Sequence, residues 1–104
     1  MNVAQPSWQI SAKELNRVRQ NVVLLDVREP YEYKEFHIEN CIHIPLGDLE
    51  AKCESELSKG DDIVVYCAMG MRSLDGAMIL KEKGFNRVRS LEGGLTAWME
   101  TQSQ

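Results

Sequence analysis

The sequence predicts an α/β fold: a small open parallel β-sheet of four to five strands, flanked by helices on both faces. Three observations predict it. Residues 22–27 and 63–67 are apolar almost throughout. They lack the alternation of a half-exposed strand and read as strands buried on both faces. Helical patterns fall between the strand-like runs, the order that covers a parallel sheet on both sides. The 104 residues, 43% hydrophobic and 27% charged, have the make-up of an ordinary globular chain. One domain over residues 1–104, with a core from about 8 to 99, is the expectation.

The elements follow in order. Ser11 can cap a helix, with Glu14 bonding back to it and Leu15 and Val18 forming its apolar face. Residues 22–27 form the first strand. Glu29-Pro30 opens a short helical turn, because proline suits a first helical position. Residues 41–45 read as a short strand stopped by Pro45. Asp48 caps a helix in which Leu49, Cys53 and Leu57 recur every fourth residue. Residues 59–62 turn into the second buried strand, 63–67. Residues 72–83 form a helix with Leu74, Ala77, Met78 and Leu80 or Lys81 inward, ended by Gly84. Residues 88–91 form the last strand. Gly93-Gly94 breaks it, and residues 95–99 form a terminal helix followed by a polar, fraying tail, 101–104.

Charge and cysteine content exclude several classes of function. Twelve basic against sixteen acidic residues give a net charge of −4. That argues against a nucleic-acid surface, though a small local basic pocket is compatible with it. No apolar run approaches the roughly 18 residues of a membrane span. Cys41, Cys53 and Cys67 are odd in number and contain no C-x-x-C pair, so neither a disulfide framework nor a zinc site is expected. The first residues hold no basic stretch followed by an apolar run, which favours a reducing cytoplasm. A monomer without a metal or organic cofactor is the working expectation.

In open parallel sheets, ligands bind beyond the carboxyl ends of the strands. Asp26 and Cys67 fall there. Cys67-Ala68-Met69-Gly70-Met71-Arg72-Ser73 joins a buried strand to a helix. A loop turning into a helix can aim successive backbone N–H groups at one point, and the helix end adds partial positive charge. A thiol in that cradle ionises more readily, and the thiolate is the nucleophile. Gly70 permits the turn. Arg72 supplies a planar cation that fits an oxyanion. Most cysteines are merely small buried hydrophobes, but this glycine, arginine and strand-end position favour chemistry.

Four segments then resemble a known family, the single-domain rhodaneses of the sulfurtransferase superfamily. Asp26-Val27-Arg28-Glu29 with Glu32-Tyr33 is similar to its D-x-R-x-x-x-E-[YF] signature. His37-Ile38 with Ile44-Pro45 is similar to its G-H-I…I-P segment, except that Phe36 replaces the glycine. Residues 67–73 resemble its C-x-x-G-x-R-S active loop, and residues 91–98 its L-x-G-G-x-x-x-W ending. The resemblance covers nearly the whole chain. It implies a rhodanese-like fold and transfer of sulfur through a Cys67 persulfide, from thiosulfate or a persulfide donor to cyanide or a thiol. It implies that the amides of Ala68, Met69, Gly70, Met71 and Arg72 hold the charged sulfur, and that Arg72 binds the donor's oxyanion. Six residues from Cys67 to Arg72 match the sulfur-transferring branch. The related phosphatases carry one more.

The remaining candidates have structural as well as functional readings. Asp26, Arg28 and Ser73 could shape the site, and an ion pair fixing the loops is the favoured reading of the first two. His37 and His43 bracket Cys41 but lack a fourth ligand, so His37 is expected to hydrogen-bond a loop. Phe36 could line the site or pack beneath it. Cys53 belongs to the core stripe, and Cys41 could be a redox partner for Cys67. Met69 and Met71 either fill gaps in the packing or form an apolar rim for a protein that donates or accepts sulfur. Gly93, Gly94 and Trp98 serve the turn and packing of the last helix. A sulfur carrier or docking module is the alternative to an enzyme.

Overall fold

The structure, a computed structural model, describes residues 8–103. The seven residues before Trp8, and Gln104 of the expected tail, lie outside the described residues.

Five parallel strands form one sheet: β1 (Gln9–Ile10), β2 (Val23–Asp26), β3 (Cys41–His43), β4 (Ile63–Tyr66) and β5 (Val88–Leu91). Their order across the sheet is β1-β5-β4-β2-β3. The expected open parallel sheet is therefore present. The strand missed by the sequence is β1, whose two residues pair Gln9 with Ser90 and Ile10 with Leu91. It is too short to carry a periodic signal.

The helices are α1 (Ala12–Val18), α2 (Pro30–Glu35), α3 (Leu46–Glu56), α4 (Met71–Glu82) and α5 (Gly94–Gln102), with a 3₁₀ turn at Arg19–Asn21. The alternation of strand side chains divides the core in two. Leu25, Ile63 and Val65 pack with Leu49, Ala77, Leu80 and Phe85 on the α3/α4 side. Leu24, Val64 and Tyr66 pack with Ile10, Leu15, Leu91 and Leu95 on the α1/α5 side. Apolar runs without alternation are what such a two-faced sheet requires. Leu49, Cys53 and Leu57 are buried as their spacing predicts. Among the described residues no helix is long and apolar enough to cross a membrane.

Several boundaries differ from expectation for physical reasons. Ser11 accepts the Glu14 N–H at 3.1 Å as a cap should. The Glu14 carboxylate, however, turns outward to Arg17 instead of back to the cap. Pro45, rather than Asp48, precedes the first turn of α3, and Asp48 sits within that turn. The inner face of α4 consists of Ser73, Gly76, Ala77 and Leu80, while Met78 is half exposed. Small residues are needed there because α4 lies close to the sheet: a Cβ on Gly76 would stand 3.2 Å from Val65 Cγ1. The tail is also less frayed than expected. Thr101 is helical, accepts a bond from Asn16 Nδ2 at 2.8 Å and donates to the Trp98 carbonyl at 2.6 Å.

The strand order fixes where a site can form. The chain leaves β2 for β3 on one side, and leaves β4 for β5 on the other. The connections after these adjacent strands diverge and leave a crevice at their carboxyl ends, the switch point of the sheet. Asp26 and Cys67 border it.

Candidate active site

Cys67 directly follows the central strand β4 and is buried. Its Sγ accepts the Gly70 N–H at 3.1 Å and the Ser73 N–H at 3.3 Å, and lies 3.5 Å from Ser73 Oγ. Ser73 Oγ is 2.7 Å from Ser90 Oγ, and both serines are buried. A chain of hydroxyls thus leads from β5 to the sulfur. Burial pushes the thiol pKa up. The Ser73 hydroxyl and the N–H groups of Ser73, Gly70 and Met69 outweigh it, so the net displacement is downward. Of the expected cradle of residues 68–72, Gly70 donates directly in this geometry. Ser73, expected only to shape the site, donates as well.

The loop holds this form for two reasons. Gly70 has φ +103°, and a Cβ there would lie 3.1 Å from the Gly93 nitrogen. The loop's first two carbonyls are also taken. Leu95 N–H donates to the Cys67 carbonyl at 2.8 Å, and Thr96 N–H donates to the Ala68 carbonyl at 3.1 Å. These donors belong to the first turn of α5, which spends its free N–H groups on the loop. With these two carbonyls drawn outward, the Gly70 and Ser73 N–H groups face the sulfur. Gly94 makes the approach possible: with φ +61°, its missing Cβ would lie 2.5 Å from the Cys67 carbonyl oxygen. The sequence places Gly94 only in a turn.

Arg72 is not a free cation. Its two terminal nitrogens bind the two Glu32 carboxylate oxygens at 2.8 and 3.0 Å. Glu32 Oε1 also accepts the Glu29 N–H at 3.0 Å, completing a reciprocal cap on α2. Glu32 is held down to about 2, chiefly by its bond from Arg72. Arg28 is similarly committed. It is buried and bonds both Asp26 oxygens, the shortest contact being 2.8 Å, and it also donates to the Phe36 carbonyl at 2.7 Å. Burial would lower its pKa, but Asp26 more than offsets this and the net displacement is upward. The guanidinium carbon stands 5.5 Å over the Tyr66 ring.

The other candidates disperse. The ring of Tyr33 stacks with His37 at 3.8 Å and with His43 at 4.3 Å. Two rings that close on one face would overlap, so Tyr33 lies between them. One nitrogen of each histidine is bound to a carbonyl, that of Tyr33 or Arg28, at 2.8 Å. Cys41 packs on the α1/α5 side of the sheet with its sulfur 3.7 Å from Tyr66 Oη, whereas Cys67 belongs to the α3/α4 side. The sheet stands between them, which removes the redox pairing considered from sequence. Burial raises the Cys41 thiol. Phe36 is not packed into the core. It is 45% exposed and borders a separate groove of about 480 Å³ with Asn16, Arg19, His37 and Trp98. Its φ of −168° is extended backbone open to any residue, so no glycine is required there. Met69 and Met71 are 71% and 75% exposed, which removes their gap-filling reading.

The site contacts that the sequence reading did not single out are Glu32 with Arg72, Ser90 behind Ser73, and the close approach of Gly94 to the loop. Ser90 did leave a signal, as a hydroxyl within an apolar strand. The Glu32–Arg72 pair spans 40 residues and leaves no local trace.

A thiol at the switch point of a parallel sheet, facing amides at a helix start, defines a class of cysteine-based α/β site. The rhodanese-like domain model matches residues 11–101, and the chain belongs to that family. It is 37% identical over 89 residues to thiosulfate sulfurtransferase GlpE of Coxiella burnetii, covering 86% of this chain and 81% of that protein. It is 40% identical over 75 residues to the "Putative sulfur carrier protein YrkF" of Bacillus subtilis, covering 72% of this chain but only 40% of that protein. The crystal structure of a rhodanese-related protein from Thermoplasma volcanium superposes with a TM-score of 0.83 at 33% identity, covering 89% of this chain and 91% of that one.

Proposed function

We propose that the protein is a sulfurtransferase that carries sulfane sulfur as a persulfide on Cys67. The observation that carries this reading is the Cys67 sulfur held by the N–H groups of Gly70 and Ser73 at the turn from β4 into α4. The Cys67 thiolate attacks the outer sulfur of thiosulfate or a persulfide. The donor's S–S bond breaks, and its electron pair leaves with sulfite or a thiolate. The acceptor, cyanide or a thiol, then attacks the outer sulfur of the enzyme persulfide and returns Cys67 as thiolate. The loop amides stabilise the negative sulfur in both steps. Asp26 and Arg28 hold the loops in place rather than touching the donor.

The test is the intact mass of reduced protein after thiosulfate, with Cys67→Ser alongside. The wild type gains one sulfur atom, the variant gains none, and cyanide removes the gain. An unchanged wild-type mass with thiosulfate and with a persulfide would sink the reading. Hydrolysis of an aryl phosphate would redirect it to phosphate chemistry, which the six-residue loop disfavours.

A second reading is favoured by the exposed Met69 and Met71 together with the likeness to YrkF. Here the sulfur passes to or from a protein that seats on the methionine rim. Met69→Ser combined with Met71→Ser then slows transfer with a protein persulfide by about tenfold, while thiosulfate turnover changes little. Equal slowing with both donors would count against a docking rim.

A further inference from the structure

Both arginines that the sheet's carboxyl edge brings to the crevice already have carboxylates. Arg28 is spent on Asp26, and Arg72 on Glu32. The second pair lies beside the thiol loop, with Arg72 in the first turn of α4. An end-on guanidinium pair of this kind has no net charge and leaves only side-on N–H donors for an incoming group. The Glu32 carboxylate is also anchored from behind by the Glu29 N–H, so releasing Arg72 costs a helix cap as well. Its side chain is 17% exposed, against 36% for Arg72, so the carboxylate is the less hydrated partner. Met71, next to Arg72 in the chain, and Met69 are both exposed and carry no charge.

We propose that Glu32 is a positioning residue that sets donor selectivity: by holding Arg72 it cancels the charge that a dianion such as thiosulfate would use, and turns the site toward persulfides. This rests on the sulfurtransferase reading above. With a persulfide, the Cys67 thiolate attacks the outer sulfur of R–S–S–H and the S–S bond breaks. The electron pair leaves as R–S⁻, and the proton stays on the transferred sulfur as Cys67–S–S–H. No sulfonate needs a cation in this step. Thiosulfate brings two negative charges to the same place and meets an arginine already neutralised.

The experiment is single-turnover loading of Cys67, read by intact mass, with thiosulfate and with cysteine persulfide, in wild type and Glu32→Gln. Glutamine keeps an oxygen for the Glu29 N–H and removes the charge. The half-saturating thiosulfate concentration falls about tenfold in the variant with its limiting rate within about twofold. The ratio of thiosulfate to persulfide loading efficiency rises by about the same factor. A purely structural role would instead lower the limiting rate or weaken thiosulfate binding, and either result in a folded variant overturns the proposal. Should the variant not fold, the wild type decides through salt. Thiosulfate loading that is nearly flat between low and high ionic strength supports a cancelled charge, and a steep fall overturns it. Failure of the wild type to load with either donor would overturn the sulfurtransferase reading itself. Wild-type loading with an unmoved ratio overturns only the role of Glu32.

Discussion

Cys67 and Cys41 are the same side chain in opposite circumstances. Both are shielded from water, which raises a thiol's pKa, but only Cys67 is met by several donors. Alkylation of Cys67 should therefore titrate below the ordinary thiol range and outpace that of Cys41. A midpoint at or above the free-thiol value would contradict the hydrogen-bond count. Ser73→Ala removes the hydroxyl donor, so the midpoint rises and loading slows about tenfold. The same shift has a stability consequence of defined sign. A thiol whose folded pKa is depressed stabilises the fold above its unfolded pKa, and that contribution is lost as pH falls through the folded value. The stability gap between wild type and Cys67→Ser should widen with rising pH over that window, as urea titrations at several pH values can show. Much of this was readable in the sequence, because Cys67, Gly70, Arg72 and Ser73 occupy one contiguous loop. Glu32 and Ser90 were not, because their partners come from other strands and helices, and spacing records no tertiary pairing.

At the scale of elements, legibility followed length and amphipathicity. The apolar runs of β2 and β4 and the stripe of α3 predicted their own burial. The inner face of α4 did so in part: Ala77 and Leu80 are buried as expected, but close packing against the sheet demanded serine and glycine where hydrophobicity pointed to Met78. The role of α5 was hidden for a related reason, since contacts made by backbone leave no side-chain signature. Its first turn holds the Cys67 and Ala68 carbonyls, and Gly94 is the point of closest approach. Gly94→Ala combines a positive φ with a backbone collision. It should cost about 3 kcal/mol in urea unfolding and depress sulfur loading further than that loss of folded protein explains. A folded variant with normal loading would show that α5 does not shape the loop.

Across the molecule, the sheet order places one crevice between diverging connections, and the Asp26–Arg28 pair is buried at its base. Removing one partner leaves the other charge buried alone. Asp26→Ala should lower unfolding stability by roughly 3–5 kcal/mol, the cost of such an orphaned charge. A loss under about 1 kcal/mol would mean that Arg28 finds water or another acceptor. The parallel sheet, its two-sided cover and the strand-end location of the thiol were all legible, because topology follows from the order of elements. The Asp26–Arg28 pairing was legible as well; what the sequence concealed was the partner of Arg72, an arginine that looks available to an anion and is answered by Glu32. The tie between α5 and the active loop also has a consequence in time. During synthesis, residues 94–102 leave the ribosome after everything they brace. A nascent chain that has already made Cys67 still lacks the donors for the Cys67 and Ala68 carbonyls, and its loop is free to turn. The braced form of the thiol loop therefore waits for residues 94–102.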